Sequence, residues 1–336
     1  MVSIYYIFIT IFSFILLKFC EYKKILLDYK IEKHKRYVSK KTNFSIGGII
    51  IYIFFLLLFI FESYFFLNFF ICMSIIFLIG FCSDIKILKN ASLRLLLQTI
   101  ILFCFLFYTD FKIPLSNIKI IDIFLNNYFF NKFFTIFCLL ILINGNNFVD
   151  GINTLLLLNN FIISLFLIYF FSDRIHQPEI IFNYTAIIFI LLCFNLRGRI
   201  ILGDAGSYLL GIILGIFLIE FARDNPFLSP FFVISLIWYP CFELLFSIIR
   251  RLIGRKKTYM PDTKHLHQVL FHFLYKNNSN MKLSHFYVSI IINGYCLLSL
   301  GLNYIAGYKT SVILIFLLLN ILVYLILYKK LTKKVF

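Results

Sequence analysis

The chain has 336 residues, is 62% hydrophobic and carries a formal charge of +17, with a mean hydropathy of +0.95. Soluble domains are nearer half apolar and do not repeat apolar runs of about 17–20 residues, so a soluble enzyme is excluded and an all-α, polytopic integral membrane protein is expected. The basic charge is spread over loops between apolar runs, which fits a membrane topology and speaks against a nucleic-acid partner.

In chain order, eleven apolar runs fall at about 2–19, 46–63, 65–82, 94–109, 130–144, 154–171, 180–196, 205–221, 228–249, 286–305 and 310–328. Each is near the length a helix needs to cross about 30 Å of hydrocarbon. They are read as one transmembrane domain over residues 1–336. The first run, from Ile4 to Leu17, has no basic leader and no clear small-residue cleavage site, so a retained helix is expected and not a signal peptide. The stretch Ile113 to Phe124 alternates loosely around Pro114 and is expected as a short strand pair or an interfacial segment. The eight cysteines sit singly in or beside apolar runs, with no CxxC and no metal spacing, and read as small buried hydrophobes.

Basic residues in short loops mark the cytoplasmic side. The segment after the first run holds Lys18, Lys23, Lys24, Lys30, Lys33, Lys35, Arg36, Lys40 and Lys41, which places the N-terminus outside. Alternation then puts Lys86, Lys89 and Arg94 inside, followed by Arg197 and Arg199, then Arg250, Arg251, Arg255, Lys256 and Lys257. The tail, with Lys329, Lys330, Lys333 and Lys334, also falls inside. The cytoplasmic loops are thus about 20–45, 83–93, 145–153, 197–204 and 250–285. An outside N-terminus and an inside tail require an odd number of spans, which the count of eleven supplies.

Five polar islands interrupt the apolar runs, and the charge argument places them all on the cytoplasmic face. Ser45-Ile46-Gly47-Gly48 opens the second run, where glycines permit close backbone approach. Ser83-Asp84, trailed by Lys86, Lys89 and Arg94, offers an acid and bases suited to a metal–phosphate complex. Asn144 to Asn153 concentrates four amides and Asp150 between two apolar runs; Asn147, Asp150 and Asn153 share a face if the segment is helical. Oxygen ligands of this kind suit Mg²⁺. Asn195 to Arg199 leads into Gly203-Asp204-Ala205-Gly206-Ser207, whose glycines free backbone N–H groups at a helix start, an anion site beside a carboxylate. Pro261 to Gln268 holds His265 and His267 in basic surroundings, which favours phosphate contact over a transition metal.

In this order, over about residues 40–270, the islands resemble the polyprenyl-phosphate N-acetylhexosamine-1-phosphate transferase superfamily, glycosyltransferase family 4. That group contains the bacterial initiators of O-antigen, enterobacterial common antigen and teichoic acid, the phospho-MurNAc-pentapeptide translocase and the dolichyl-phosphate GlcNAc-phosphotransferase. The resemblance rests on Asn-x-x-Asn-x-x-Asp-Gly from Asn144 to Gly151, Gly-Asp-x-Gly-Ser from Gly203 to Ser207, and Pro-Asp-x-x-His-x-His from Pro261 to His267. The last motif points to the initiator branch. It implies about eleven helices with cytoplasmic active-site loops in a bacterial inner membrane. Among the residues, it implies Asp204 as the main Mg²⁺ ligand with Asn147 beside it, Mn²⁺ being the alternative metal. Asp150 and Asn153 match positions lining the nucleotide pocket, with Asn144, Ser45, Gly48, Gly206 and Ser207 as further substrate contacts. Arg94 takes the place of a lysine that meets the diphosphate, Ser83 and Asp84 stand where an Asp-Asp pair is usual, and His265 and His267 match histidines that face phosphates or sugar. Other departures are Asn153 for a second Asp, Ile201 for a nucleobase-stacking aromatic, Gln268 for a third histidine and Asn43-Phe44 for Thr-Pro.

The implied reaction transfers a sugar-1-phosphate, an N-acetylhexosamine-1-phosphate, from a UDP-sugar to polyprenyl (undecaprenyl) phosphate and releases UMP, the first step of a lipid-linked glycan. The partners are then polyprenyl phosphate, a UDP-sugar and the lipid bilayer; a homodimer stays open. A transporter is the rival class, and it predicts charges deep within spans and broken helices facing both sides. The acids in or near span interiors are Glu62, Glu220 and Glu243. A catalytically inactive homologue is the other alternative, with Ser83 as its support.

Overall fold

The computed structural model of the protein describes residues 2–26, 44–62, 66–255, 264–307 and 309–335. Lys30, Lys33, Lys35, Arg36, Lys40, Lys41, Asn43, Lys256, Lys257 and the Pro261-Asp262-Thr263 start of the histidine motif lie outside the described residues. The chain runs through α1 (Val2–Lys23), β1 (Phe44–Ser45), α2 (Gly47–Glu62), α3 (Leu67–Asp84), α4 (Ala91–Tyr108), α5 (Lys119–Leu125) and α6 (Tyr128–Val149). It continues through α7 (Leu155–Phe171), α8 (Pro178–Leu196), β2 (Ile200–Ile201), α9 (Gly203–Asp224), α10 (Pro230–Leu236) and α11 (Trp238–Ile253). The last three elements are α12 (Leu266–Asn278), α13 (Met281–Ile305) and α14 (Thr310–Val335).

The architecture is all-α and polytopic. Among the described residues, nine helices are long and apolar enough to cross a membrane, and the bent pair α10–α11 makes a tenth. The remaining expected span is α2, which is apolar but only 16 residues long. Local chemistry fixes the helix starts. Asn90 Oδ1 accepts from Ser92 N at 3.0 Å to cap α4, Asn127 Oδ1 accepts from Phe130 N at 3.0 Å to cap α6, and prolines sit in the first turns of α8 and α10. These groups satisfy, or do not supply, amide donors that a helix start leaves without an intrahelical acceptor.

Two expectations change at this level. The ninth run is not one helix: it bends by 80° between α10 and α11. Pro240 lies two residues past the break and lacks the N–H that would bond the carbonyl four residues back, Leu236, so the helix cannot run through. The stretch 113–124 forms no strand pair. Its second half is α5, and Asp122 Oδ1 accepts from Ser116 N at 2.6 Å and from Ser116 Oγ at 2.8 Å, which folds the first half back as a turn.

α9 is the axis of the bundle. Its apolar stretch is 89% buried, against 17% for the peripheral α14, and it packs on α2, α3 and α6. Lipid chains are as apolar as leucine, so close packing and not water exclusion must hold these helices together. Small residues make that contact. A Cβ on Gly80 of α3 would lie 2.5 Å from Ala205 Cα, and one on Gly48 of α2 would lie 2.5 Å from Gly206 N. The parallel ladder of β1 with β2 pairs Phe44 with Ile200 and Ser45 with Ile201, and it ties the entry of α2 to the entry of α9. The first turn of α9 is thereby enclosed by several helix ends.

Candidate active site

Asp204, in the first turn of α9, is met from three other helices. From the end of α3, Ser83 Oγ donates to Asp204 Oδ2 at 2.6 Å. From the start of α4, Arg94 Nη1 donates to the same Oδ2 and to Ser83 Oγ. From the last turns of α6, Asn147 Nδ2 donates to Asp204 Oδ1 at 2.8 Å and to Ser207 Oγ at 3.0 Å. Ser207 Oγ in turn donates to Asp204 O at 3.1 Å. Arg94 and Asp204 each keep 20% of their side chain exposed, so the cluster opens to an aqueous edge.

Asp84 does a different job. Its carboxylate accepts from Asp204 N at 2.8 Å and from Ala205 N at 3.1 Å. It therefore caps α9 from another helix, where the partial positive charge of a helix start favours an anion. The anion site expected at this glycine turn is, for these two amides, filled by the protein's own carboxylate. Gly203 has a φ of +71°, and a Cβ there would lie 2.1 Å from Ser45 Oγ and 2.6 Å from Asp84 Oδ2. Only glycine fits both that backbone and that space. Ser45 Oγ is buried and has no hydrogen-bond partner among the described residues. Gly48 N donates to Leu202 O at 3.1 Å and, with Gly206, serves the close contact of α2 with α9.

The third island divides in two. α6 ends at Val149 and Asp150 is its C-cap, half-buried, with its N–H on Asn146 O at 3.1 Å. The shared helical face expected for Asn147, Asp150 and Asn153 therefore stops short, because Gly151 and the turn after it end the helix. Asn153 N donates to His285 Nδ1 of α13 at 3.3 Å. Asn144 Nδ2 donates to Gln98 Oε1 of α4 at 2.9 Å and ties two helices one turn below the cluster.

His265 and His267 stand beside the end of α6. The His265 ring meets Phe148 edge-on at 5.0 Å and stacks on His267 at 5.4 Å. His265 Nδ1 lies 3.0 Å from Glu243 Oε1. His267 is fully buried, with Nδ1 3.2 Å from Tyr239 OH. Burial pushes His267 down to about 4, with the nearby Glu243 carboxylate opposing the shift, so the ring is neutral near pH 7.

Glu243, Tyr239, His285 and Gly80 are site-forming residues that motif reading passes over. Glu243 was visible as an acid inside an apolar run, a costly placement; the others carry no local signal.

The sequence is similar to known proteins over the part of the chain that carries this cluster. Residues 66–222, which contain Ser83, Asp84, Arg94, Asn147, Asp150 and Asp204, match the model of glycosyl transferase family 4. Over 178 residues the chain is 28% identical to the decaprenyl-phosphate N-acetylglucosaminephosphotransferase of Mycobacterium leprae, covering 46% of this chain and 44% of that protein. Over 129 residues it is 32% identical to the undecaprenyl-phosphate alpha-N-acetylglucosaminyl 1-phosphate transferase of Thermotoga maritima, covering 38% and 39%. These matches support the superfamily assignment. The undecaprenyl-phosphate alpha-N-acetylglucosaminyl 1-phosphate transferase of Escherichia coli is 28% identical over 149 residues, covering 42% of this chain and 41% of that protein. The chain thus spans less than half the length of the curated relatives it matches.

Among the described residues, no group of three or more His, Cys, Asp and Glu side chains forms a ready metal cage. The donor set does fit a hard cation bound sparsely. Mg²⁺ is usually held by one or two carboxylates, with water and substrate phosphates filling the rest. Asp204 supplies such a carboxylate at an open edge, and Asn147, whose amide nitrogen meets that carboxylate at 2.8 Å, is the amide side chain beside it.

Proposed function

We propose that the protein transfers a sugar-1-phosphate, an N-acetylhexosamine-1-phosphate, from a UDP-sugar to polyprenyl phosphate, with release of UMP. The observation that carries this reading is the convergence of Ser83, Arg94 and Asn147 on Asp204, with Asp84 capping the same helix turn. Its relatives include a decaprenyl-phosphate N-acetylglucosaminephosphotransferase and an undecaprenyl-phosphate alpha-N-acetylglucosaminyl 1-phosphate transferase, which supports the same class of reaction here. A polyprenyl phosphate oxygen attacks the β-phosphorus of the UDP-sugar; a new P–O bond forms, the bridging P–O bond breaks, and UMP leaves with the bridging oxygen. A phosphate monoester has a second pKa of about 6 and is mostly dianionic at neutral pH, so no side chain need remove a proton from it. This is why serine at position 83 is compatible with turnover.

Phosphoryl transfer asks chiefly for in-line placement and charge neutralisation. Asp204 with Asn147 would hold Mg²⁺ (or Mn²⁺), which supplies Lewis-acid stabilisation of phosphate charge. Arg94 supplies a guanidinium that matches phosphate geometry. Asp150 and Asn153 face the nucleotide in this reading, and His265 a phosphate or the sugar. The site end of the bundle faces the cytoplasm of a bacterial inner membrane, consistent with the basic loops at that end. The test is purified protein in detergent with undecaprenyl phosphate, Mg²⁺ and a panel of UDP-sugars, scored for UMP. Mg²⁺-dependent UMP release with at least one donor is expected; none with any donor overturns the reading.

A further inference from the structure

We propose that Glu243 is a positioning residue of this site, that it sets the working orientation of His265, and that Tyr324 makes the last helix, α14, part of the same device. The inference rests on the transferase reading for its catalytic consequence, and on geometry alone for the contact.

Glu243 lies on α11, two turns before the basic end of that helix, and its side chain is 1% exposed. A carboxylate at that depth needs donors around it. Three converge. His265 Nδ1 is 3.0 Å from Oε1, Leu266 N donates to Oε1 at 3.3 Å, and Tyr324 OH donates to Oε2 at 2.8 Å. The second histidine is held back from it, with His267 Nδ1 4.0 Å from Oε2. The donors come from the start of α12 and from α14, so one carboxylate joins three elements that are far apart in the chain.

A carboxylate accepts and does not donate when ionised, so the His265 nitrogen facing it carries its proton. Nδ1 is thereby committed, and Nε2 is the nitrogen left for a substrate. A phosphate oxygen is an acceptor, and contact with it requires a proton on Nε2 as well. His265 then carries positive charge, and Glu243 balances that charge within a buried site. The orienting carboxylate of a catalytic histidine has the same logic: it fixes the tautomer and the ring and stabilises the charged form without touching substrate. Leu266 N on the same Oε1 fixes the backbone of the next residue, so ring and chain are set by one group. Tyr324 holds the other oxygen, which places the carboxylate.

The first measurement needs no turnover. Protein labelled with ¹⁵N-histidine in lipid nanodiscs is examined by NMR, with His265 assigned by the signal lost in His265→Gln among the six histidines of the chain. A protonated, carboxylate-bonded Nδ1 at His265 is expected; a neutral ring protonated at Nε2 alone overturns the contact. The second measurement is steady-state UMP release. Glu243→Gln keeps an acceptor for His265 but not the charge, and about a tenfold fall in kcat with KM for the UDP-sugar within about twofold is expected. Glu243→Ala loses both and should fall about 100-fold. Tyr324→Phe, which removes one hydroxyl from the buried cluster, should lower kcat severalfold and shift the His265 Nδ1 signal. Unchanged kcat in Glu243→Gln and in Tyr324→Phe overturns the positioning role. Wild-type protein that releases no UMP overturns the transferase reading, while the imidazole spectrum still decides the contact.

Discussion

Two polar clusters sit at the same end of this bundle, and they are built in opposite ways. Around Asp204, two ionic side chains each keep 20% exposure, and hydroxyl and amide groups share one carboxylate. Around Glu243, the carboxylate is 1% and His265 5% exposed. Partners at an open edge can be exchanged for a ligand with little desolvation to reverse. Partners in a dry interior cannot, since removing one strands a buried polar group. The first cluster is suited to meeting charged substrates and the second to holding a side chain still.

The sharpest way to break that contrast is at Asp204. Asp204→Asn removes the charge but keeps most of the packing, and UMP release should fall about 10²–10³-fold, the scale of losing one electrostatic contact in a transition state. Thermal stability in detergent should change little, because the residue sits at an open edge. Turnover at the wild-type rate would remove Asp204 from the metal role. The buried cluster predicts the reverse signature, a stability effect tied to pH. His267 ionises near 4 in the fold against an ordinary 6.5. The unfolded chain takes up that proton first, so the contribution is complete above about 6.5 and is lost as the pH falls through 4. Its size is roughly 3 kcal/mol from about 1.4 kcal/mol per pKa unit. Unfolding midpoints between pH 7 and pH 4 should drop for wild-type protein and drop less for His267→Gln; equal slopes would contradict the assignment.

How much of this was legible in the chain follows from the range of the interactions. Apolar runs of bilayer length are local, so the helices from α1 to α14 that cross the hydrocarbon could be read in order, and the polar islands between them stood out for the same reason. The break before Trp238 was missed because hydropathy is blind to Pro240, which leaves the run apolar while ending its hydrogen bonding. Asp84 could be seen as a site residue but not as a cap, since the amides it accepts from are 120 and 121 residues away. Glu243 carried the signal of a buried acid, yet its partners His265 and Tyr324 are 22 and 81 residues distant. The strand pair, one of the two forms expected for residues 113–124, is absent because alternation over so short a stretch is shared by strands and by capped turns.

A smaller effect tests the packing that brings the open cluster together. A Cβ at Gly80 would meet Ala205 Cα at 2.5 Å and Ala205 N at 2.7 Å, both backbone atoms that cannot swing aside. Gly80→Ala must push α3 away from α9, at about 1–3 kcal/mol for overpacking of a tight contact. Ser83 and Asp84 ride on the same helix one turn on, so the variant should also lose UMP release. Gly294 of α13 has open space around it, with nothing within 4 Å of an added Cβ, and serves as the control. Equal midpoints for the two variants would show that α3 and α9 are not held at this distance.

The smallest effect is expected at Ser83, and its size separates two accounts of the open cluster. If position 83 needed a proton-accepting group, the serine chain would be inactive and Ser83→Ala would change nothing. If the lipid phosphate is already dianionic, serine contributes only its hydrogen bond to Asp204 Oδ2 at 2.6 Å. A hydrogen bond to a charged group contributes about 1.5–3 kcal/mol, less at an open edge where water replaces it. Ser83→Ala should then lower kcat by about three- to tenfold and leave the pH profile of UMP release in place. Arg94 is the reason the loss stays small, because its guanidinium contacts the same Asp204 oxygen and still holds it when the hydroxyl is gone. A 100-fold loss, or a profile shifted by a full pH unit, would contradict both accounts and show that Ser83 does more than make one hydrogen bond.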